Sequence, residues 1–296
     1  MKGFIRFVET QPLVILDGAM GTELDKRGLM GRGRVNLDAH EAVLDIHREY
    51  AACGCHALIT NTLTMNRIYI ETHDVGVPVR EVNLAGVRLA KEAAGDRLCV
   101  LGDMCSTGQL LEPYGDYAES QFLDCFKEQA EILAEGGVDA FIIETMFDLR
   151  EALCALRACK EVSPLPVIVS MAFSTEADGG RTMMGDSAEE CSKRLTDAGA
   201  DVIGANCGTL DPYQMATVIS ALRSGTTLPI LAQPNAGKPR LDGVRTVFDM
   251  GPPEFAAGVE KCVRAGARLV GGCCGTSPDH IRAVGEILGE RRLSDR

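Results

Sequence analysis

The stretch that decides the fold class is residues 134–145, which read AEGGVDAFIIET. Two glycines end a helical pattern, an apolar run follows, and Glu144 closes the run. Residues 140–143 are apolar at every position, which is typical of a strand buried on both faces of a parallel sheet. Residues 198–203 and 264–270 have the same order, so we interpret the stretch as one copy of a repeated helix–strand unit.

The same alternation extends over the whole chain. Short apolar runs predict eight strands, at residues 13–16, 57–59, 98–101, 140–143, 167–169, 202–203, 229–231 and 268–270. Helical patterns follow them at residues 42–52, 79–94, 118–134, 149–160, 188–198, 213–222, 254–265 and 278–288. This pattern predicts an α/β protein with one domain over residues 1–296, a single (β/α)8 TIM barrel. A doubly wound open sheet is the alternative, but no Pro/Ser-rich linker or composition shift divides the chain.

The composition argues against two kinds of partner. The 296 residues include 30 Lys+Arg and 42 Asp+Glu, for a formal net charge of −12. Because nucleic acids and anionic membranes require a basic face, we expect neither as a partner. No apolar run approaches the roughly 18 residues of a membrane span, and the start of the chain has no signal-peptide pattern, so we expect a cytoplasmic protein. Its twelve cysteines are then reduced thiols that serve as core residues, metal ligands or catalysts.

Three of these cysteines follow predicted strands. Cys207 comes after the sixth apolar run, and Cys273 and Cys274 come after the eighth. Since the active site of such a barrel lies at the carboxyl ends of its strands, we expect the three thiols on one rim, two strands apart. Three thiolates favour one Zn²⁺ per chain, and a three-ligand set leaves a position open, as in catalytic zinc sites. Glycines on both sides of the cysteine pair permit its unusual backbone path, although buried core cysteines are the simpler alternative.

Two carboxylates also end predicted strands. Asp17 follows the first apolar run and Glu144 the fourth, and an unpaired carboxylate is costly to bury there. The partner of each is either a substrate ammonium group or an internal Arg, Lys or backbone N–H. Cys105, after the third run, is a packing residue, part of a substrate loop or a fourth metal ligand. The sequence contains no glycine-rich phosphate-binding motif and no convincing pair of a histidine with a carboxylate.

Five motifs on this rim resemble those of the zinc-dependent homocysteine S-methyltransferase family. They are residues 17–22 (DGAMGT), 60–62 (TNT), 206–208 (NCG), 234–237 (PNAG) and 271–275 (GGCCG). Over nearly its whole length the chain is most similar to the homocysteine-binding barrel of cobalamin-dependent methionine synthase. One departure is that Cys105 and Ser106 stand where the family often has Gly-Pro.

The resemblance implies roles for particular residues. Its zinc ligands, which are also its catalytic residues, are Cys207, Cys273 and Cys274. The residues that it places at the substrate are Asp17 and Glu144 near the homocysteine amino group, Ser106 and Thr107 near the carboxylate, and Asn235 as a further contact. The implied activity is methylation of homocysteine to methionine, in the EC 2.1.1 class. Homocysteine is expected to bind zinc as a thiolate, whose sulfur attacks an activated methyl group.

The methyl donor has to come from outside the chain. A corrinoid module would carry a D-x-H-x-x-G motif, and the nearest string, residues 45–50, has Tyr50 in place of the glycine. We therefore expect methylcobalamin on a separate corrinoid protein or module. The chain is then either a free-standing barrel or the N-terminal part of a longer methionine synthase.

Alternatives remain open at this point. One is a small methyl donor of the S-methylmethionine or betaine type in place of the corrinoid protein. Another, of a different class, is a zinc-binding, redox-sensing barrel without methyl transfer, in which oxidation of Cys273 and Cys274 would expel the metal. A sensor would hold zinc with a saturated shell, whereas a transferase should release a proton when the thiol binds. A metal-free lyase or aldolase would need a Schiff-base lysine, and the lysine nearest the rim, Lys238, lies in a loop.

Overall fold

The strands form a barrel. The computed structural model describes residues 3–243 and 245–294. Its strands are β1 Val14–Ile15, β2 Ala57–Ile59, β3 Cys99–Met104, β4 Ala140–Met146, β5 Val167–Met171, β6 Phe173–Thr175, β7 Arg181–Thr182, β8 Val202–Asn206, β9 Ile230–Gln233, β10 Arg240–Asp242, β11 Arg245–Val247 and β12 Leu269–Val270. Eight of them pair in parallel in the order β1-β12-β9-β8-β5-β4-β3-β2. A parallel bridge between Leu16 and Ala57 joins the two ends of this sheet, which confirms the predicted (β/α)8 barrel.

Helices surround the sheet. They are α1 Gly3–Thr10, α2 Met20–Lys26, α3 Val35–Asp38, α4 His40–Ala51, α5 Arg67–Thr72, α6 Val79–Ala94, α7 Glu119–Gly136, α8 Leu149–Val162, α9 Ala188–Asp197, α10 Pro212–Gly225, α11 Pro252–Arg264 and α12 Pro278–Ser294. The eight predicted helices are α4 and α6 to α12. Gly137, Gly199 and Gly266 follow three of them with a positive φ, as the sequence of the repeated unit predicts. Within the described part of the chain, no helix has the length and apolarity needed to cross a membrane.

Alternate residues of each strand line the barrel interior. Near the amino ends the inward positions form one apolar cluster, which includes Leu101, Ile142, Ile168, Val202 and Leu231. Two to four residues further along the same strands the corresponding positions are polar, namely Asp103, Glu144, Ser170, Asn206 and Gln233. The interior therefore changes from apolar to polar toward the carboxyl ends, where the loops begin.

Several elements were not predicted. Helix α1 places Phe4 and Val8 in the same apolar cluster as the inward strand residues and closes the amino end of the barrel. Two hairpins, β6 with β7 and β10 with β11, extend from loops at the opposite end. Strands β3 and β4 are longer than their apolar runs, so Glu144 lies within its strand, which continues to pair with β5 as far as Met146. A polar residue persists in the strand because it faces the open end of the barrel.

Candidate active site

Three cysteines meet at the carboxyl end of the barrel. Cys207 directly follows β8, and Cys273 and Cys274 follow β12 after two glycines. The three Sγ atoms all lie within 4.8 Å of one another, and those of Cys207 and Cys274 are 3.9 Å apart. Among residues 3–243 and 245–294, this is the single group of His, Cys, Asp or Glu side chains with the spacing of a metal site. The arrangement agrees with the rim predicted from the sequence.

Backbone hydrogen bonds hold two of the three cysteines, and the third has a strained backbone. The Cys273 N–H donates to the carbonyl of Pro234 at 2.9 Å, and the carbonyl of Cys274 accepts from the Ala236 N–H at 2.9 Å. Cys207 has a φ of 54°, a left-handed conformation that is unfavourable for a residue with a side chain. Such strain persists only where the surroundings enforce it, and it is commonly found at functional sites.

Two glycines beside the cysteine pair are required for different reasons. Gly275 has a φ of 83°, and a Cβ there would also lie 2.3 Å from the Cβ of Phe248. A Cβ on Gly272 would lie 2.5 Å from the hydroxyl oxygen of Thr276, which itself donates to the carbonyl of Cys273. Gly275 therefore supplies a backbone conformation, whereas Gly272 supplies space for the side chain that anchors the ligand loop.

Asn206 connects the cysteines to the end of β4. Its Oδ1 accepts hydrogen bonds from the Thr145 N–H and the Ser170 hydroxyl, both at 2.8 Å. Its Nδ2 donates to the hydroxyl of Thr145 at 2.8 Å and approaches the Sγ of Cys273 to 3.9 Å. Asn206 is fully buried, so this single amide fixes two parts of the rim relative to each other.

The thiols differ strongly in acidity. Hydrogen bonds with Cys207 and Cys273 lower the pKa of Cys274 to about 4. The bond with Cys273 lowers the pKa of Cys207, but its bond with Cys274 and its burial outweigh this effect and raise that pKa to about 12. These contacts therefore favour the thiolate form of Cys274 and the thiol form of Cys207.

Three carboxyl groups are buried beside the cysteines: Asp17, Asp103 and Glu144. Burial raises the pKa of Glu144 to about 8, and the charge of Cys207 adds to the shift. Burial also raises the pKa of Asp103 well above its usual range, with further contributions from the charges of Glu144 and Asp17. Asp17 accepts the Ile59 N–H at 2.9 Å through Oδ2, but its Oδ1 and the Oδ1 of Asp103 have no hydrogen-bond partner. Of the two residues, Asp103 lines the cavity beside the cysteines, so its carboxyl group is available to a ligand.

A cavity of about 380 Å³ opens between the cysteines and the carboxylates. The predicted site residues that line it are Cys207, Cys273, Cys274 and Glu144, together with Cys105 and Asp103. Asp17, Ser106, Thr107 and Asn235 are buried around it but do not line it. The Sγ of Cys105 is 4.0 Å from the carbonyl of Thr145 and does not belong to the group of three sulfurs.

The remaining predicted contacts have partners inside the protein. The Asn235 Nδ2 donates to the carbonyl of Gly208 at 3.0 Å and so anchors the turn after Cys207. The Ser106 and Thr107 hydroxyls both donate to the carboxylate of Glu151 in α8. Sequence reasoning identified neither this contact nor the role of Asp103. Strand periodicity was the available signal for Asp103, since it lies two residues after the inward-facing Leu101.

Comparisons with known proteins identify the family. The sequence matches the family described as homocysteine S-methyltransferase over residues 14–288. It is 29% identical over 310 residues to the methionine synthase of Mycobacterium tuberculosis, covering 98% of this chain and 26% of that protein. It is 30% identical over 316 residues to the S-methylmethionine–homocysteine S-methyltransferase BHMT2 of Pongo abelii, covering 98% of this chain and 82% of that protein.

A solved structure has the same fold. The metallated form of the homocysteine methyltransferase MmuM from Escherichia coli superimposes with a TM-score of 0.78, over 95% of this chain and 98% of that one, at 22% sequence identity. The chain spans only about a quarter of the M. tuberculosis methionine synthase but most of BHMT2. The match over residues 14–288 includes every cysteine and carboxylate described above. The chain therefore belongs to the homocysteine S-methyltransferase family.

Proposed function

We propose that this barrel, acting as a single domain, methylates homocysteine to methionine at a Zn²⁺ ion held by Cys207, Cys273 and Cys274. The observation that supports this most strongly is the convergence of three sulfurs within 4.8 Å from two separate strands. Ligands of a tetrahedral zinc at about 2.3 Å lie about 3.8 Å apart, close to the 3.9 Å between Cys207 and Cys274. The residues present therefore fit the ion. Zinc bound there would supply positive charge that favours the deprotonated form of an acceptor thiol.

The chain's own residues bind and orient the acceptor. Asp103 and Glu144 line the cavity with carboxyl groups, and the buried Oδ1 of Asp103 lacks a hydrogen-bond partner that the homocysteine ammonium group can supply. The carboxyl group of Asp17 is buried in the same region. Asn206 and Thr145 hold Cys273 in place. The homocysteine sulfur then attacks the methyl carbon, a C–S bond forms, and the donor keeps the electron pair of the broken bond.

We propose a methyl-corrinoid protein or module as the methyl donor. In the part of the chain that the structure describes, no Phe, Tyr or Trp lines the cavity, whereas sulfonium and quaternary ammonium donors are typically bound against aromatic faces. A corrinoid carried by a partner needs no such lining, because it docks over the mouth of the cavity. The similarity to a methionine synthase supports the same donor.

A small donor is the second candidate. The similarity to BHMT2 extends over 82% of that protein, whose name specifies S-methylmethionine as its donor. An ionised Asp103 or Glu144 would also favour a cationic donor close to the acceptor. This candidate predicts methyl transfer without any corrinoid.

The donor assay separates the candidates. Zinc-loaded protein is incubated with homocysteine and with methylcobalamin, S-methylmethionine or betaine in turn, and methionine is measured by mass spectrometry. We expect zinc-dependent turnover with methylcobalamin, and turnover with S-methylmethionine alone would replace the corrinoid proposal by the second candidate. Zinc bound equally tightly with and without homocysteine, and no turnover with any donor, would favour the redox-sensing alternative. All twelve cysteines are free thiols, which suits the reducing cytoplasm that we propose as the protein's location.

A further inference from the structure

The hydroxyl groups of the loop after β3 are already engaged. The Ser106 hydroxyl donates to Oε2 of Glu151 at 2.7 Å, and the Thr107 N–H and hydroxyl donate to its Oε1 at 2.7 and 2.8 Å. Glu151 is 1% exposed, so its carboxylate relies on these donors. A substrate carboxylate would have to displace the Glu151 carboxyl group from these three donors. The Ser106 and Thr107 side chains therefore offer no free donor to the acceptor's carboxylate.

Among the described residues that line the cavity, Arg32 is the only Lys, Arg or His. Within the described residues its guanidinium has no carboxylate within 4.0 Å, whereas most exposed arginines nearby, such as Arg27 and Arg34, form ion pairs. One of its N–H groups donates to the hydroxyl of Tyr69, and its Cζ lies 5.4 Å from the centre of the Tyr69 ring. The other N–H groups remain available to an anion.

The backbone of Arg32 is held in an unfavourable conformation. Its φ is 48°, in the left-handed region, and its carbonyl accepts a hydrogen bond from Asn61 Nδ2 at 3.2 Å. Asn61 is itself paired with the buried Asn36, whose Nδ2 donates to the Asn61 carbonyl at 2.8 Å. Buried amides thus enforce a strained residue whose side chain lines the cavity, which is the pattern expected of a binding residue.

The cavity offers a partner for each charged group of a zwitterion. The carboxyl groups of Asp103 and Glu144 can accept hydrogen bonds from an ammonium group, and the Arg32 guanidinium can donate to a carboxylate. Thr64 lines the same cavity, is 5% exposed, and its hydroxyl has no hydrogen-bond partner. We propose that Arg32, assisted by the Thr64 hydroxyl, binds the carboxylate of the acceptor and restricts the enzyme to α-amino acid thiols. This inference rests on the proposed function, since it assigns the second charged group of the same acceptor.

The test compares two thiols on matched variants. Zinc-loaded wild type, Arg32→Gln, Arg32→Lys and Arg34→Gln are titrated calorimetrically with homocysteine and with 3-aminopropane-1-thiol, which has the ammonium and the thiol but no carboxylate. Arg34 is the control because it is two residues away, pairs with Asp38 and does not line the cavity. For Arg32→Gln we expect a rise of about tenfold to a hundredfold in the Kd of homocysteine, as for the loss of a charge-assisted hydrogen bond.

The remaining titrations test whether the loss of affinity is specific to the carboxylate of the thiol. We expect Arg32→Gln to leave the zinc content and the Kd of 3-aminopropane-1-thiol within twofold of wild type, Arg32→Lys to lose less, and Arg34→Gln to bind both thiols normally. Equal losses for both thiols, no loss, or a change confined to the KM of the methyl donor would each overturn the assignment. If wild type itself fails to bind homocysteine, the proposed function fails instead, so the two failures are distinguishable.

Discussion

The two ends of the barrel interior differ in polarity. At the amino end, Phe4 and Val8 of α1 pack with the inward strand residues, and the cluster is apolar throughout. At the carboxyl end, the same strands present Asp103, Glu144 and Gln233, and the buried Oδ1 of Asp103 and Oε1 of Gln233 have no hydrogen-bond partner. Because a buried polar group without a partner is costly, one end stabilises the fold and the other is completed by a ligand.

The largest effect is expected from a substitution at the apolar end, which should lower the free energy of unfolding. Leu231 is fully buried in the apolar cluster, so Leu231→Ala should lower the free energy of unfolding by about 2–5 kcal/mol. Urea denaturation measures this loss. Protein that remains folded should bind zinc and homocysteine as wild type does, and a loss of zinc binding in the folded variant would show that the two ends are not separable.

The next effect is a dependence of stability on pH at the site end. Burial raises the pKa of Glu151 from 4.5 to about 7, although hydrogen bonds from Thr107 and Ser106 oppose the shift. The Glu151 carboxyl group loses its proton at a lower pH in the unfolded chain than in the folded one. The folded state therefore loses about 3 kcal/mol of stability as pH rises from the unfolded pKa to the folded pKa, and the loss does not grow above the folded pKa.

Glu151→Gln isolates this contribution. The variant should unfold with a shallower dependence on pH than wild type between the two pKa values, as followed by urea denaturation at a series of pH values. Identical slopes for the two proteins would mean that Glu151 is ionised when folded throughout this range.

A third effect is expected in activity without a loss of stability. Asp103→Asn replaces a buried carboxyl group whose Oδ1 lacks a partner, so the free energy of unfolding should stay equal or rise. The kcat/KM for homocysteine should fall by about tenfold to a hundredfold, as expected for a lost hydrogen bond to a charged group. Steady-state kinetics and denaturation on the same preparation test both halves. A variant that is fully active would remove Asp103 from the ammonium site.

The smallest effect is expected in metal affinity. Asn206→Ser removes the amide that joins Thr145 to Cys273, and loss of such a support weakens metal binding by about 10- to 100-fold. Ser170→Ala is the matched control, because it removes a hydroxyl that contacts Asn206 but no sulfur. Competition with a chelator measures zinc affinity, and equal affinities for the two variants would contradict the supporting role of Asn206.

The sequence carried the signals that depend on local pattern. Apolar runs and cap glycines predicted the barrel, and the position of Cys207, Cys273 and Cys274 after strands predicted their convergence. The engagement of Ser106 with Glu151 could not be predicted, because a helix residue 45 positions away supplies the partner. The hairpins and α1 have no strong period of their own, and their packing on the barrel ends determines them. Asp103 could have been predicted as a site residue, because its inward direction follows from the two-residue period of strand β3.

The proposed reaction requires the three cysteines to bind one zinc ion together. The direct measurement is zinc per chain by elemental analysis on wild type and Cys207→Ser, prepared side by side under reducing conditions. We predict about one zinc per chain in wild type and a much lower zinc content in the variant, because three ligands become two. Full occupancy in both proteins, or no zinc in either after anaerobic loading, would contradict the shared site and the mechanism built on it.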